Sequence, residues 1–149
     1  MSESHEVIEF KSIGIIHTPY KDDVPRQPDP TGRGKFRIEI FRKYTDSLEK
    51  LDTFSHIFVI FHLNRIDDYR IKARPPMGNG MEVGTFASRS PYRPNPLGLS
   101  HVRLEGIDEN VIHISPIDAL DGSPVIDIKP YVGSLDREDS ANNGWSDGI

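Results

Sequence analysis

The chain has no cysteine among its 149 residues, which excludes a disulfide scaffold, a thiolate zinc site and a cysteine nucleophile. Long apolar runs are missing too. The longest, Ile57 to Phe61, falls far short of the roughly 20 residues a bilayer span needs, so no membrane partner is expected. The first ten residues, MSESHEVIEF, carry neither the basic nor the apolar stretch of a secretory leader, and the expected compartment is the cytoplasm. Six histidines (His5, His17, His56, His62, His101, His113) stand without an HExxH pattern or a carboxylate at ligand spacing, so no metal is expected. His56 and His62 share one face of a regular strand, a spacing that ordinary hydrogen-bonded strand histidines also show. Gly32-Arg33-Gly34 lacks the third glycine and downstream acid of a dinucleotide fingerprint, and Gly34-Lys35 lacks the upstream glycine of a phosphate loop.

What is present is a soluble composition, mean hydropathy −0.49, sized for one compact domain. The formal net charge of −5 hides a division along the chain. Residues 1–20 carry one Lys against three Glu, residues 21–103 carry 15 basic against 10 acidic, and residues 104–149 carry 2 basic against 10 acidic. A basic middle is what a polyanion-binding face leaves, and also what a solvated surface leaves.

The apolar spacing has period two. Phe36, Ile38 and Ile40 alternate with Lys35, Arg37 and Glu39, which predicts a strand with one apolar and one charged face. Further strands are predicted at Phe10–His17, Phe54–His62, Glu82–Phe86, Ser100–Glu105, Asn110–Ile114 and Val125–Tyr131, with Gly106–Asn110 as a hairpin connection. Only Thr45–Leu51 reads as a helix, with Thr45 as N-cap. The expected fold is mainly β: a single small antiparallel β-barrel of about seven strands, with long Pro-rich loops and one short helix. Its expected limits are residues 10–133, preceded by an N-terminal extension (1–9) and followed by a flexible tail (134–149), in which Trp145 either anchors the segment or stands exposed.

Two segments are dense in chemistry. Arg89-Ser90-Pro91-Tyr92-Arg93-Pro94-Asn95-Pro96-Leu97-Gly98-Leu99-Ser100 holds three prolines in six residues, which stiffen an extended track carrying arginines, Ser90 and Asn95; Gly98 is expected to let the chain turn into the next strand. The track is a preorganised ligand loop, a structural corner or a proline-rich partner motif. In Asp118-Ala119-Leu120-Asp121-Gly122 the second aspartate suits an Asx turn, and downstream Asp127 and Lys129 share a strand face, as an ion pair or as part of a site.

RSPYRPNPLGLS and DALDGSPVIDIKPY, preceded by VPRQP (Val24–Pro28) and FSHIFVIFHL (Phe54–Leu63), together resemble the TsaA-like (TrmO) family of tRNA methyltransferases. The resemblance runs from about Ile13 to Tyr131; Leu97 replaces the usual Ile, a volume-conserving change. It implies a small β-barrel that binds S-adenosylmethionine and works as a homodimer. It also implies methylation of N6 of the threonylcarbamoyl-modified adenosine next to the anticodon of tRNA. An S-adenosylmethionine-binding regulatory module and a small-molecule methyltransferase are the alternatives on the same fold.

Carried over by residue, the resemblance assigns cofactor contacts to Pro25, Arg26, Gln27, His62, Leu63, Arg89, Leu99, Asp118, Ala119, Leu120 and Asp121. Arg26 or Arg89 takes the cofactor's carboxylate or an RNA phosphate. Methyl transfer from a sulfonium needs chiefly positioning, and a urea-like nitrogen also needs a base, for which His62, Asp118 and Asp121 are the candidates. Arg93, Asn95 and Tyr92 are candidates for contacts to the anticodon loop, and Tyr92 or Phe86 is either a stacking surface or core. Many bacterial members continue into a second small domain after the DIKPY block; here 18 residues follow Tyr131, so the resemblance implies either a shorter, archaeal-type version that relies on the barrel and its dimer or a different mode of tRNA recognition.

Overall fold

A computed structural model describes residues 3, 6–24 and 35–147. Six strands form one antiparallel sheet: β1 (Gly14–His17), β2 (Arg37–Ile40), β3 (His56–His62), β6 (Leu97–Asp108), β7 (Val111–Ile114) and β8 (Ser123–Pro130). Their pairing order is β1-β2-β7-β6-β3-β8, and β8 pairs back onto β1, Gly14 opposite Val125, so no strand of the ring has a free edge. Two further strands, β4 (Lys72–Ala73) and β5 (Val83–Gly84), form a separate ladder inside the excursion between β3 and β6.

Side-chain alternation fills the inside of the ring. Phe36, Ile38 and Ile40 are buried as their spacing predicts, and Ile16, Ile57, Val59, Phe61, Val102, Ile112, Ile114 and Val125 complete the core with Ile117 and Ala119. Asn110, the second residue of the β6–β7 turn, is buried because its side-chain amide donates to the Ile40 carbonyl at 2.7 Å.

Several sequence expectations change. The ring has six strands rather than about seven, since Glu82–Phe86 contributes only Val83–Gly84, paired with Lys72–Ala73 outside it. The hairpin connection is two residues, Glu109-Asn110, because β6 runs through a bulge between Leu104 and Gly106 and ends at Asp108. The helix predicted at Thr45–Leu51 is a 3₁₀ segment, Arg42–Leu48, followed by another at Leu51–Thr53. Thr45 does not cap it; its hydroxyl donates to the Arg42 carbonyl at 2.8 Å, and Tyr44, Leu48 and Leu51 pack on the core. β6 starts at Leu97, so Gly98 is no turn residue. It lies within the strand where the Phe61 ring presses on the backbone, and a Cβ there would stand 2.7 Å from both Cε atoms of that ring.

Near the C-terminus, a single-turn helix α1 (Gly133–Asp136) precedes a 3₁₀ turn, Gly144–Ser146. The half-buried Trp145 donates its indole N–H to the Ala87 carbonyl at 2.7 Å, so it anchors this segment to the excursion. No helix among the described residues is long and apolar enough to cross a membrane.

Candidate functional site

At one end of the β3–β6 pair the backbone binds itself shut: the Leu63 amide, just past β3, donates to the Pro96 carbonyl, just before β6, at 2.8 Å. A groove of about 720 Å³ opens beside this seam. Leu63, Arg89, Leu99, Asp118 and Leu120 line it, so four separate segments bring five of the predicted cofactor contacts together. Val24, at the entry of the first Pro-rich loop, also lines it; Pro25, Arg26 and Gln27 lie outside the described residues.

The connection from β7 to β8 is fixed from two sides. Ser115 accepts the Arg103 amide proton on its Oγ at 2.9 Å, and the Thr18 hydroxyl donates to the Ala119 carbonyl at 2.8 Å. Ala119 itself is core, so only its backbone is in use. Asp118 is exposed toward the groove and takes the Ser100 hydroxyl on Oδ1 at 2.9 Å, with no partner for its other oxygen among the described residues.

Asp121 points elsewhere. Lys21 Nζ reaches Oδ2 at 2.6 Å, the Thr18 amide donates to Oδ1 at 3.0 Å, and His17 Nδ1 stands 3.8 Å from Oδ1. The Lys21 hydrogen bond chiefly, helped by the Thr18 amide against an opposing cost of burial, holds this carboxyl below its ordinary 3.8. It closes the turn onto the strand end after β1 and is not a lining residue of the groove.

The proline track is both corner and wall. Arg93 Nη1 donates to the carbonyls of Thr85 (3.2 Å), Ser88 (2.8 Å) and Ser90 (3.2 Å), a clamp that folds the loop on itself. Arg93 also borders the groove, alongside Ser88, Arg89 and Pro91. Arg89 is exposed, with no partner among the described residues. Tyr92 is half-buried under the Arg70 guanidinium, 3.7 Å from its ring centroid, and Asn95 is exposed outside the groove lining.

His62 is half-buried at the groove end of β3, opposite Leu97 and next to Leu63, but is not itself part of the lining. His56, on the same face about 20 Å away by strand rise, joins a ring cluster with Phe58, His101 and Tyr131, in which His101 stacks on Tyr131 at 4.6 Å. Asp127 and Lys129 form a part-exposed ion pair at 3.5 Å, so no buried charge needs a function there. Asn64, Arg65, Ile66 and Ser88 line the groove without having been singled out in the sequence; only their positions flanking the FHL and RSPY blocks mark them. Among the described residues no three His, Asp or Glu side chains group as metal ligands.

The tRNA-methyltransferase O N-terminal domain family matches residues 15–137. A probable S-adenosyl-L-methionine-binding protein of Pyrococcus abyssi is 38% identical over 138 residues, covering 91% of this chain and 74% of the relative. A tRNA (adenine(37)-N6)-methyltransferase of Escherichia coli is 36% identical over 135 residues, 83% of this chain and 57% of the relative. The crystal structure of TrmO from Pseudomonas aeruginosa superposes with a TM-score of 0.75 at 33% identity, covering 93% of this chain and 62% of that one. The chain thus spans about three fifths of the length of the last two.

Proposed function

Because the chain belongs to the tRNA-methyltransferase O N-terminal domain family, we propose that it binds S-adenosylmethionine in the groove beside Leu63 and methylates N6 of the threonylcarbamoyl-modified adenosine next to the anticodon of tRNA. The observation that carries this reading is the convergence of Leu63, Arg89, Leu99, Asp118 and Leu120 on one groove. The groove's volume lies in the range of small-molecule sites, and its donor set suits this ligand: apolar walls, one unpaired guanidinium and one carboxylate. When bound, S-adenosylmethionine supplies an electrophilic methyl group.

Arg89 holds the ligand's carboxylate, a charge-assisted contact. Asp118, with Oδ1 oriented by Ser100 and its other oxygen free, takes the proton leaving the urea-like nitrogen. Of the three base candidates it is the one facing the groove; Asp121 is held by Lys21 and serves the turn. Leu63, Leu99 and Leu120 exclude water from the reacting atoms.

The same reading extends to a closed barrel acting as a homodimer in the cytoplasm. The exposed Leu97 and Leu99, which line the groove together with Phe58 and His101, support a subunit contact that borders the groove itself. Incubation of the purified chain with S-adenosylmethionine and threonylcarbamoylated tRNA, followed by nucleoside mass spectrometry, tests the reaction. A mass gain of one methyl on that nucleoside is expected; an unmodified nucleoside with cofactor bound refutes the tRNA assignment.

A further inference from the structure

Phe86 is 75% exposed, unusual for a phenylalanine, yet its backbone is firmly held. It sits in the middle of a 3₁₀ turn, Thr85–Ala87. Thr85 donates its amide to the Ile71 carbonyl at 3.0 Å and its hydroxyl to the Arg70 carbonyl. The Thr85 carbonyl accepts from the Ser88 hydroxyl at 2.8 Å and from Arg93, and the Ala87 carbonyl accepts from Trp145. So many bonds around one exposed ring describe a presented surface rather than a frayed loop tip.

The surroundings indicate what it is presented to. Residues 64–93 carry six basic against three acidic residues, in a chain whose formal net charge is −5. The side chains of Arg89 and Lys72 have no partner among the described residues, while Ser88 and Arg89, next in the chain after Ala87, line the groove. The Arg93 guanidinium lies 5.9 Å from the Phe86 ring centroid. Tyr92 cannot serve the same purpose from the face that Arg70 covers at 3.7 Å. A fixed, exposed aromatic ring beside the Arg93 guanidinium, three residues before the unpaired Arg89, suits an unstacked base flanked by phosphates.

We propose that Phe86 is the base-stacking surface at the rim of the groove, receiving a nucleobase from the single-stranded loop of an RNA; this rests on the methyl-transfer reading above. The test uses the full chain, an anticodon stem-loop RNA with 2-aminopurine in its loop, and the variants Phe86→Ala and Phe86→Trp. Phe86→Ala is expected to weaken stem-loop affinity by about tenfold (roughly 5- to 100-fold) and to raise KM for tRNA. Affinity for S-adenosylmethionine and the melting temperature stay at wild-type values, and Phe86→Trp restores RNA binding with quenching of 2-aminopurine. If the wild type methylates tRNA and Phe86→Ala does so with the same KM, this inference is overturned while the enzyme reading stands. If the wild type methylates tRNA but binds no stem-loop RNA, this inference is overturned while the enzyme reading stands; if it also leaves the tRNA nucleoside unmodified, both are overturned. A change in sedimentation state on Phe86→Ala overturns it in favour of a subunit contact.

Discussion

Gly98→Ala tests whether the seam between β3 and β6 is as tight as its geometry states. The new Cβ would stand 2.7 Å from Cε1 and Cε2 of Phe61 and nearer still to Cζ. Carbon atoms in contact prefer about 3.5–4.0 Å, so the ring must withdraw by about 1 Å. Phe61 is 2% exposed and packed among Ile57, Val59 and Val125, which leaves little room for that motion. Overpacking of this kind costs about 1–3 kcal/mol, which for a chain of this size lowers Tm by about 3–10 °C. Urea and thermal unfolding followed by circular dichroism measure the loss. In a Phe61→Leu background the clashing ring atoms are gone, so Gly98→Ala should cost at least about 1 kcal/mol less there, a coupling typical of contacting residues. Both residues also line the groove, so the single variant should weaken S-adenosylmethionine binding as well. A Gly98→Ala protein that melts within about 1 °C of its parent, or that loses the same stability with and without the Phe61 ring, refutes the reasoning.

Arg89→Ala, at an exposed side chain without a partner among the described residues, should leave stability within about 0.5 kcal/mol and reduce S-adenosylmethionine affinity about 10- to 150-fold; calorimetry showing unchanged affinity removes Arg89 from the site. Asp121 has its pKa lowered by Lys21, so its stabilising contribution is complete above 3.8 and is lost as pH falls through the depressed folded value. Asp121→Asn should therefore cost about 1–2 kcal/mol at neutral pH and progressively less as pH falls below 3.8; a urea-midpoint difference that stays constant down to the lowest pH at which the parent is folded contradicts this. Trp145 is the chain's single tryptophan, so its emission reports the anchor to Ala87 directly. The native maximum should lie to the blue of free tryptophan and shift red in step with global unfolding, and a red-shifted native spectrum would contradict the docking.

Legibility in the sequence followed the length of the periodic signal. β2 was readable because three apolar residues alternate with three charged ones, and all three are buried. β3 was readable as a strand but not by face, since Phe58 and Ile60 put apolar side chains on its outer side too. β4 and β5, two residues each, leave no period to detect. The groove could be anticipated by motif at Leu63, Arg89 and Asp118, but the separate duties of like residues could not. Arg89 and Arg93 are four apart in one loop, and only the fold turns the second onto three carbonyls while leaving the first free. Asp118 and Asp121 diverge likewise, because Thr18 and Lys21 arrive from about a hundred residues away.

That distance sets the order in which the protein can be made. Thr18 and Ala119 lie 101 residues apart, and β1 has its second partner only when β8 exists. At a synthesis rate of about 5–20 residues per second, the first strand waits roughly 5–20 s with one edge open before closure is possible. Folding is then dominated by long-range pairing, which is intrinsically slow and leaves nascent chains open to edge-to-edge association. The yield of active protein should accordingly depend on translation speed and growth temperature more steeply than the stability of the finished ring does.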